Sequence, residues 1–332
     1  NFYVYAKCLR RAGIDAHVVI EESKSVVPKE HLPSWHDADS DNRDAEWVHY
    51  LKLSYFVPFD NLTKYLSSQK ELLDFTKDFD IIVCSGIAPI WMRWSGKPFV
   101  FLSYGSDLDQ MAVQGWSGSP LKHVGIGERA IRFLIRHHLP DSLRKASATV
   151  IAPYQIGIAK QMGLHNLCFL PHIMDTNLFK PTNKKQRNAT RSELYKRYDC
   201  DFIMFHPPRQ SWTDRSVSDC KGNDKVFRAF AKFLRGYNGK AKLVAVNKGW
   251  DVNRSKELVD RLGITRHMIW MDQVNKPEMV KLYNATDIVL DQFVTGTLAL
   301  VAVEAMACGA PVVSYVKAPN DKEMFYPEMP PI

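Results

Sequence analysis

The sequence predicts an α/β protein made of two doubly wound halves. In the first half, short apolar runs close on Gly or Pro, the mark of buried parallel strands: FDIIVCSG (79–86), KPFVFLSYG (97–105), SATVIAP (147–153) and NLCFLPH (166–172). In the second half strands and amphipathic helices alternate strictly, the pattern of a parallel sheet covered on both faces. The length of 332 residues suits two such domains.

Taken in order, Asn1–Ala12 reads as a helix, with an Asn cap, Phe2, Tyr5, Cys8 and Leu9 on one face and Gly13 just past its end. AHVVI (16–20) reads as a strand. A strand normally precedes such a helix, so the pattern predicts a first strand and loop ahead of Asn1. The acidic segment His31–Glu46 reads as an exposed loop without calcium-loop spacing. Residues 181–200 are polar, basic and poor in apolar side chains, and read as a linker between a domain over 1–180 and another over 201–332. After it come the strand DFIMFHPP (201–208), the helix 225–237, the strand AKLVAVN (241–247), the helix 253–264, the strand HMIWMD (267–272), the helix 276–286, the strand DIVLDQ (287–292), the helix TLALVAVEAMACG (297–309) and the strand APVVSYV (310–316). A further strand is expected after PEMPPI (327–332), where this sequence ends.

Composition narrows the function classes. The net charge is +8, yet residues 1–180 carry 20 basic and 19 acidic side chains. The excess sits largely in Lys184–Arg197, which holds six basic residues and one acidic. A single basic strip does not resemble a nucleic-acid footprint, and no nucleic-acid partner is expected. No stretch reaches the ~18 consecutive apolar residues that a transmembrane helix needs. The six cysteines form no CxxC pair and no metal-like spacing with His, so no metal is expected and the thiols read as reduced.

Two doubly wound sheets place ligands at the carboxyl ends of their strands. One such end is DQFVTGTLALVAVEAMACGAPVV (291–313). A helix starting near Thr297 offers free N–H groups and a positive dipole end to a phosphate. Gly296 permits close approach to the backbone. Glu304 follows about two turns later, roughly 10 Å along the axis, where a carboxylate accepts hydrogen bonds from two neighbouring hydroxyls. The plainer alternatives for Glu304 are a solvent-facing position or a buried salt bridge.

EAMACGAPVV (304–313) resembles the C-terminal signature of retaining glycosyltransferases of family 4, which have the GT-B fold: two Rossmann-like domains facing across a cleft. In that family two glutamates lie eight residues apart. The second, which binds the nucleotide ribose, maps onto Glu304, and the first, which contacts the donor sugar, falls on Gly296. The chain resembles a variant group in which Asp-Gln ends the strand and the first glutamate is absent. Thr295 and Thr297 are then the candidates for the donor sugar, and Thr297, Leu298 and Ala299 for phosphate-facing amides.

Other matches follow the family order. SYGSDL (103–108) resembles the His-Gly-Ser/Thr-Asp motif, with Tyr104 in the His position, Gly105 after it, and Asp107 a catalytic candidate or a helix cap. Arg209 and Lys221-Gly222 resemble the clamp on the donor diphosphate. The spacer between them is long, which makes Arg215 a substitute for Arg209. Met271 and Gln273 occupy the stretch that meets the base, and KLYNATDIVL (281–290) resembles the Leu-Tyr-x-x-Ala-Asp step. Asn1, Tyr104 and Gly105 belong to the acceptor side.

The resemblance implies a metal-independent retaining hexosyltransferase. It has no cofactor, takes a UDP- or GDP-linked sugar as donor and a glycan, lipid-linked or small-molecule acceptor, and is cytoplasmic. A non-catalytic nucleotide-sugar binder of the same fold is the alternative. In LKHVGIGERAIRFLIRHH (121–138), Arg129, Arg132 and Arg136 share one face, and Ile131, Leu134 and Ile135 another. This reads first as a surface helix with its apolar side in the core, and second as a basic face for peripheral contact with anionic lipid.

Overall fold

The computed structural model describes residues 2–21, 45–51, 62–103, 107–114, 126–152, 155–170, 173–215, 220–296 and 298–316. These fall into two compact units, one holding the described residues within 17–170 and the other those within 2–16 and 173–316.

In the first unit, β1 (Val18–Glu21) pairs in parallel with β2 (Val48–Leu51), Val18 opposite Val48. β2 has no counterpart among the strands expected from sequence. β3 (Ile82–Cys84), β4 (Phe99–Leu102), β5 (Ala148–Val150) and β6 (Leu167–Cys168) form a parallel sheet in that order. All four arise from the apolar runs expected to be strands. Four further helical segments accompany them: α2 (Leu62–Phe75), α3 (Pro89–Met92), α4 (Ala112–Gln114) and α5 (Ile126–Leu143), with α6 (Ile156–Gln161) before the last strand. Phe101, Leu108, Leu139 and Leu143 are fully or almost fully buried and form the centre of this core. On α5 the expected basic face divides: Arg132 is buried while Arg129 and Arg136 are exposed. The expected apolar face divides too, with Ile135 in the core and Leu134 exposed beside Phe133.

The second unit opens with α1 (Phe2–Arg11), which the sequence placed with the first half. Lys7 and Arg11 each lie 3.1 Å from the Asp175 carboxylate. Its buried side is Tyr3 and Ala6 rather than the expected Phe2, Tyr5, Cys8 and Leu9. The helix stops at Gly13 (φ +83°), where the Ile14 amide bonds back to the Leu9 carbonyl, a six-residue closure that favours glycine.

The expected linker is also corrected. Lys184–Tyr198 is a helix, α7, capped by the Asn183 side chain on the Gln186 amide. Only Leu194 is buried along it, so its polar composition records a surface helix rather than a flexible connection. Polar contacts hold it instead. The Tyr195 hydroxyl donates to the Asp287 carboxylate at 2.8 Å, and Arg191 donates to the carbonyls of Ala285 and Thr286.

Then β7 (Phe202–His206), α8 (Asn223–Leu234), β8 (Ala241–Val246), α9 (Val252–Arg261), β9 (Met268–Met271), α10 (Lys276–Ala285), β10 (Ile288–Leu290), α11 (Leu300–Ala307) and β11 (Val312–Val313) follow. All five strands are parallel, in the order β11-β10-β7-β8-β9. Phe205, Ile203, Leu243, Val289 and Tyr283 are buried at the centre, because β7, β8 and β10 are covered on both faces. The order reverses between β7 and β10, so the loops after these two strands flank the place where doubly wound sheets bind ligands.

Candidate active site at the switch point of the second sheet

The loop after β7 is built by a buried polar network. His206 is fully buried at the end of β7. Its Nδ1 lies 2.8 Å from the Leu290 carbonyl, which only accepts, so Nδ1 carries the proton and Nε2 accepts from the Asn223 amide at 2.8 Å. Burial pushes the imidazole down to about 4. Asn223 also donates to the Arg209 carbonyl and accepts from the Ser211 amide. Ser211 in turn accepts from the Lys221 amide at 2.6 Å. One asparagine at the start of α8 therefore ties both ends of the loop that carries Arg209 and Lys221. Arg215, the expected substitute for Arg209, is instead paired with Asp224 at 2.9 Å.

This loop is stitched to the one after β10. The Phe293 amide donates to the Lys221 carbonyl at 2.9 Å, and Lys225 Nζ donates to the Phe293 carbonyl at 2.7 Å. Gly222 makes the approach close: its φ is +71°, and a Cβ there stands 2.8 Å from Val294 Cγ2. The structure thus joins Lys221 and Gly222 to Phe293 and Val294, in the loop that goes on to Thr295 and Gly296.

The details of the second loop differ from expectation. The helix starts at Leu300, not near Thr297, with Ala299 extended as its cap. Thr297 lies outside the described residues, as do Asn1, Tyr104 and Gly105. The amides of Val294 and Thr295 are both taken by the fully buried Gln292 side chain, at 3.1 and 2.8 Å, so the Thr295 amide is not offered to a sugar. Gly296 has φ +75°, a conformation costly for a residue with a Cβ, so this backbone does not suit the family's first glutamate.

Asp291 is the residue that sequence reading missed. It is 1% exposed, and its Oδ2 has no hydrogen-bond partner. Burial pushes its carboxyl up to about 6, against the opposing pull of Lys221 and of backbone N–H groups at Ala302, Ala299 and Gln292. The helix terminus expected to face a phosphate, Ala299 included, therefore already faces an internal acid. The signal available in the sequence was Asp291-Gln292 itself: two polar residues closing an apolar strand, one turned to the helix and the other to the loop.

Glu304 lies four residues past the helix start, about 6 Å along the axis. It is 3% exposed, which rules out the solvent-facing reading. Lys276 Nζ bonds to Oε1 and the Tyr283 hydroxyl donates to Oε2 at 3.1 Å. Burial and the Glu304 carboxylate push the Tyr283 phenol well above its usual range. The salt-bridge alternative thus describes part of the site, because the carboxylate is paired where a ligand is expected. Leu298 is buried just ahead of the helix.

Met271 ends β9, its carbonyl accepting from the Asn247 amide, and the exposed Gln273 accepts from Lys248 Nζ at 2.8 Å. In the first unit, Asp107 opens a π-helical turn (Asp107–Met111) and accepts from the Gly86 amide at 3.1 Å, a tie between two loops.

Comparison with known proteins adds a family match over part of the chain and a fold. Residues 215–327 match the family model described as Glycosyl transferases group 1. An uncharacterized glycosyltransferase of Methanocaldococcus jannaschii is 36% identical over 93 residues, 28% of this chain and 23% of that protein. The D-inositol 3-phosphate glycosyltransferase of Segniliparus rotundus is 28% identical over 150 residues, 44% of this chain and 30% of that protein. The matched stretches therefore span a third or less of these relatives. Among solved structures, Anabaena HepE in complex with UDP and glucose superposes with a TM-score of 0.62 at 16% identity, over 94% of this chain and 76% of that one. Sucrose-phosphate synthase from Thermosynechococcus elongatus gives 0.60 at 16% identity, over 94% and 74%. The chain has the GT-B fold, and its residues 215–327 carry the pattern of a group 1 glycosyltransferase domain.

Proposed function

We propose that this chain is a glycosyltransferase that moves a sugar from a nucleoside diphosphate donor to an acceptor hydroxyl with retention of anomeric configuration. The observation that carries the reading is the buried, paired carboxylate of Glu304 beside the loops of the switch point. It supplies acceptors for a ribose, while Lys221 and Arg209 supply cations for a diphosphate. When the bond between the sugar and the phosphate oxygen breaks, charge develops on the leaving diphosphate. Preorganised cations stabilise that charge in the transition state, so Lys221 and Arg209 take this role rather than a metal ion. The sugar carbon passes through an oxocarbenium-like state. The acceptor oxygen bonds to it on the face the phosphate leaves, and the acceptor proton passes to the departing phosphate oxygen. HepE holds UDP and glucose in its crystal structure, which favours a uridine donor over a guanosine one.

The acceptor is a glycan, a lipid-linked sugar or a small molecule, met by the first unit, which carries Asp107. Exposed Arg129, Phe133, Leu134 and Arg136 on α5 support peripheral contact with the inner face of a membrane. Among the described residues no helix is long and apolar enough to cross one. Gly296 favours a second reading, a nucleotide-sugar binder without turnover, because no carboxylate stands at that position. Calorimetry and nucleotide-release assays with UDP-, GDP- and ADP-sugars decide the matter. Binding with release supports the transferase, binding with no turnover in the presence of acceptor lipids supports the binder, and binding of none overturns both.

A further inference from the structure

We propose that Lys276 is a positioning residue that holds Glu304 for the two neighbouring hydroxyls of a ribose, and so sets the preference for ribonucleotides over deoxyribonucleotides. The inference rests on the functional reading above. Its ground is the occupancy of one carboxylate. An ionised carboxylate has about four acceptor sites, two on each oxygen. Lys276 takes one on Oε1 and Tyr283 one on Oε2. One site on each oxygen then remains, the number and spacing that a vicinal diol requires. At 3% exposure a carboxylate is costly without a partner, and the ammonium supplies one that fixes Glu304 with a site left on each oxygen.

The lysine is itself held in place. It begins α10 immediately after the Asn275 cap, whose side chain accepts from the Glu278 amide. Its ammonium stands 5.4 Å from the centre of the Phe179 ring, and its side chain is 23% exposed. Lys276 therefore reaches over Glu304 from the solvent side, whereas Tyr283 holds it from the buried side.

The test measures calorimetric affinities of the native chain and of Lys276→Met, Lys276→Arg and Tyr283→Phe for UDP, GDP, dUDP and dGDP, with melting temperatures to confirm folding. The native chain is expected to prefer the ribonucleotide by about tenfold, the worth of one charge-assisted hydrogen bond. In Lys276→Met that preference falls toward unity through weaker ribonucleotide binding, with deoxyribonucleotide binding little changed. Lys276→Arg restores most of it, and Tyr283→Phe loses part of it. A full native preference in folded Lys276→Met overturns the assignment, as does tighter ribonucleotide binding, the mark of a lysine that merely blocks the carboxylate. Should Lys276→Met not fold, an unaltered preference in both other variants overturns it, and a loss in Tyr283→Phe with retention in Lys276→Arg supports it. Absence of ribonucleotide binding by the native chain overturns the functional reading and the assignment with it.

Discussion

Glu304 and Asp291 are two buried carboxylates flanking the start of one helix, and their surroundings give them different work. Glu304 is paired by a cation and a phenol, so it stays available as an acceptor. Asp291 keeps one oxygen without a partner, and its carboxyl rises to about 6. Glu304→Ala is therefore expected to weaken UDP or GDP binding by roughly 10- to 100-fold, the loss of charge-assisted hydrogen bonds to a ribose. Calorimetry checks this, and unchanged affinity excludes Glu304 from the nucleotide site. Only one of the two roles was legible in the sequence. A single Glu among Val301, Val303, Ala305 and Met306 marks a candidate carboxylate, but nothing in the sequence says that Lys276, 28 positions earlier, reaches it. Asp291 read as a strand end because its effect depends on which helix folds back over it.

At the scale of elements, the two loops at the switch point work as one piece. Asn223 closes the first, Gln292 closes the second, and the Phe293–Lys221 and Lys225–Phe293 bonds join them. Gly222 is the point of closest approach. In Gly222→Ala the new methyl meets Val294 at 2.8 Å on a left-handed backbone. The strained conformation costs about 1–2 kcal/mol, and the loop carrying Thr295 and Gly296 must shift. The expected result is a nucleotide affinity that falls by more than the stability loss, read by calorimetry beside urea unfolding. A loss of stability with native affinity argues against a joint loop site. The strands of the second half were legible because each is an apolar run between polar turns. The helix of 184–198 was not: its sequence buries only Leu194, and its stability comes from Asn183, Arg191 and Tyr195 contacts whose partners lie far along the chain. The start of α11 was misplaced by three residues because the Gln292 and Asp291 side chains organise the turn before it.

For the molecule as a whole, His206 and Asp291 set opposing pH dependences of stability within one unit. His206 has its folded value depressed to about 4 from 6.5, so the stability it supports is full above pH 6.5 and is lost as pH falls toward 4. Asp291 has its folded value raised to about 6 from 3.8, so its contribution is full below 3.8 and is lost as pH rises through 6. Each shift is worth roughly 3 kcal/mol at 1.36 kcal/mol per unit, and over pH 4–6 the two largely offset each other. Asp291→Asn removes one side of the balance. It is expected to stabilise the protein at pH 8, by up to about 3 kcal/mol, and to leave it with a steeper loss between pH 6.5 and 4, measured by urea unfolding at each pH. A variant as stable as the native protein at pH 8 argues against a buried ionised Asp291. Through its resemblance to a family the sequence pointed to Lys221 and Gly222; by itself it determined the α/β class, the strict alternation of the second half and the candidate residues Gly296 and Glu304. These rest on local periodicity, on glycine at turns and on a lone charge in an apolar run, all of which are properties of neighbouring residues. Tertiary structure alone decided the strand order with its switch point, the pairing of Glu304 with Lys276 and Tyr283, and the burial of Asp291 against α11. Each of these depends on elements distant in the chain meeting away from water, where an unpaired charge is costly and a paired one is fixed in place.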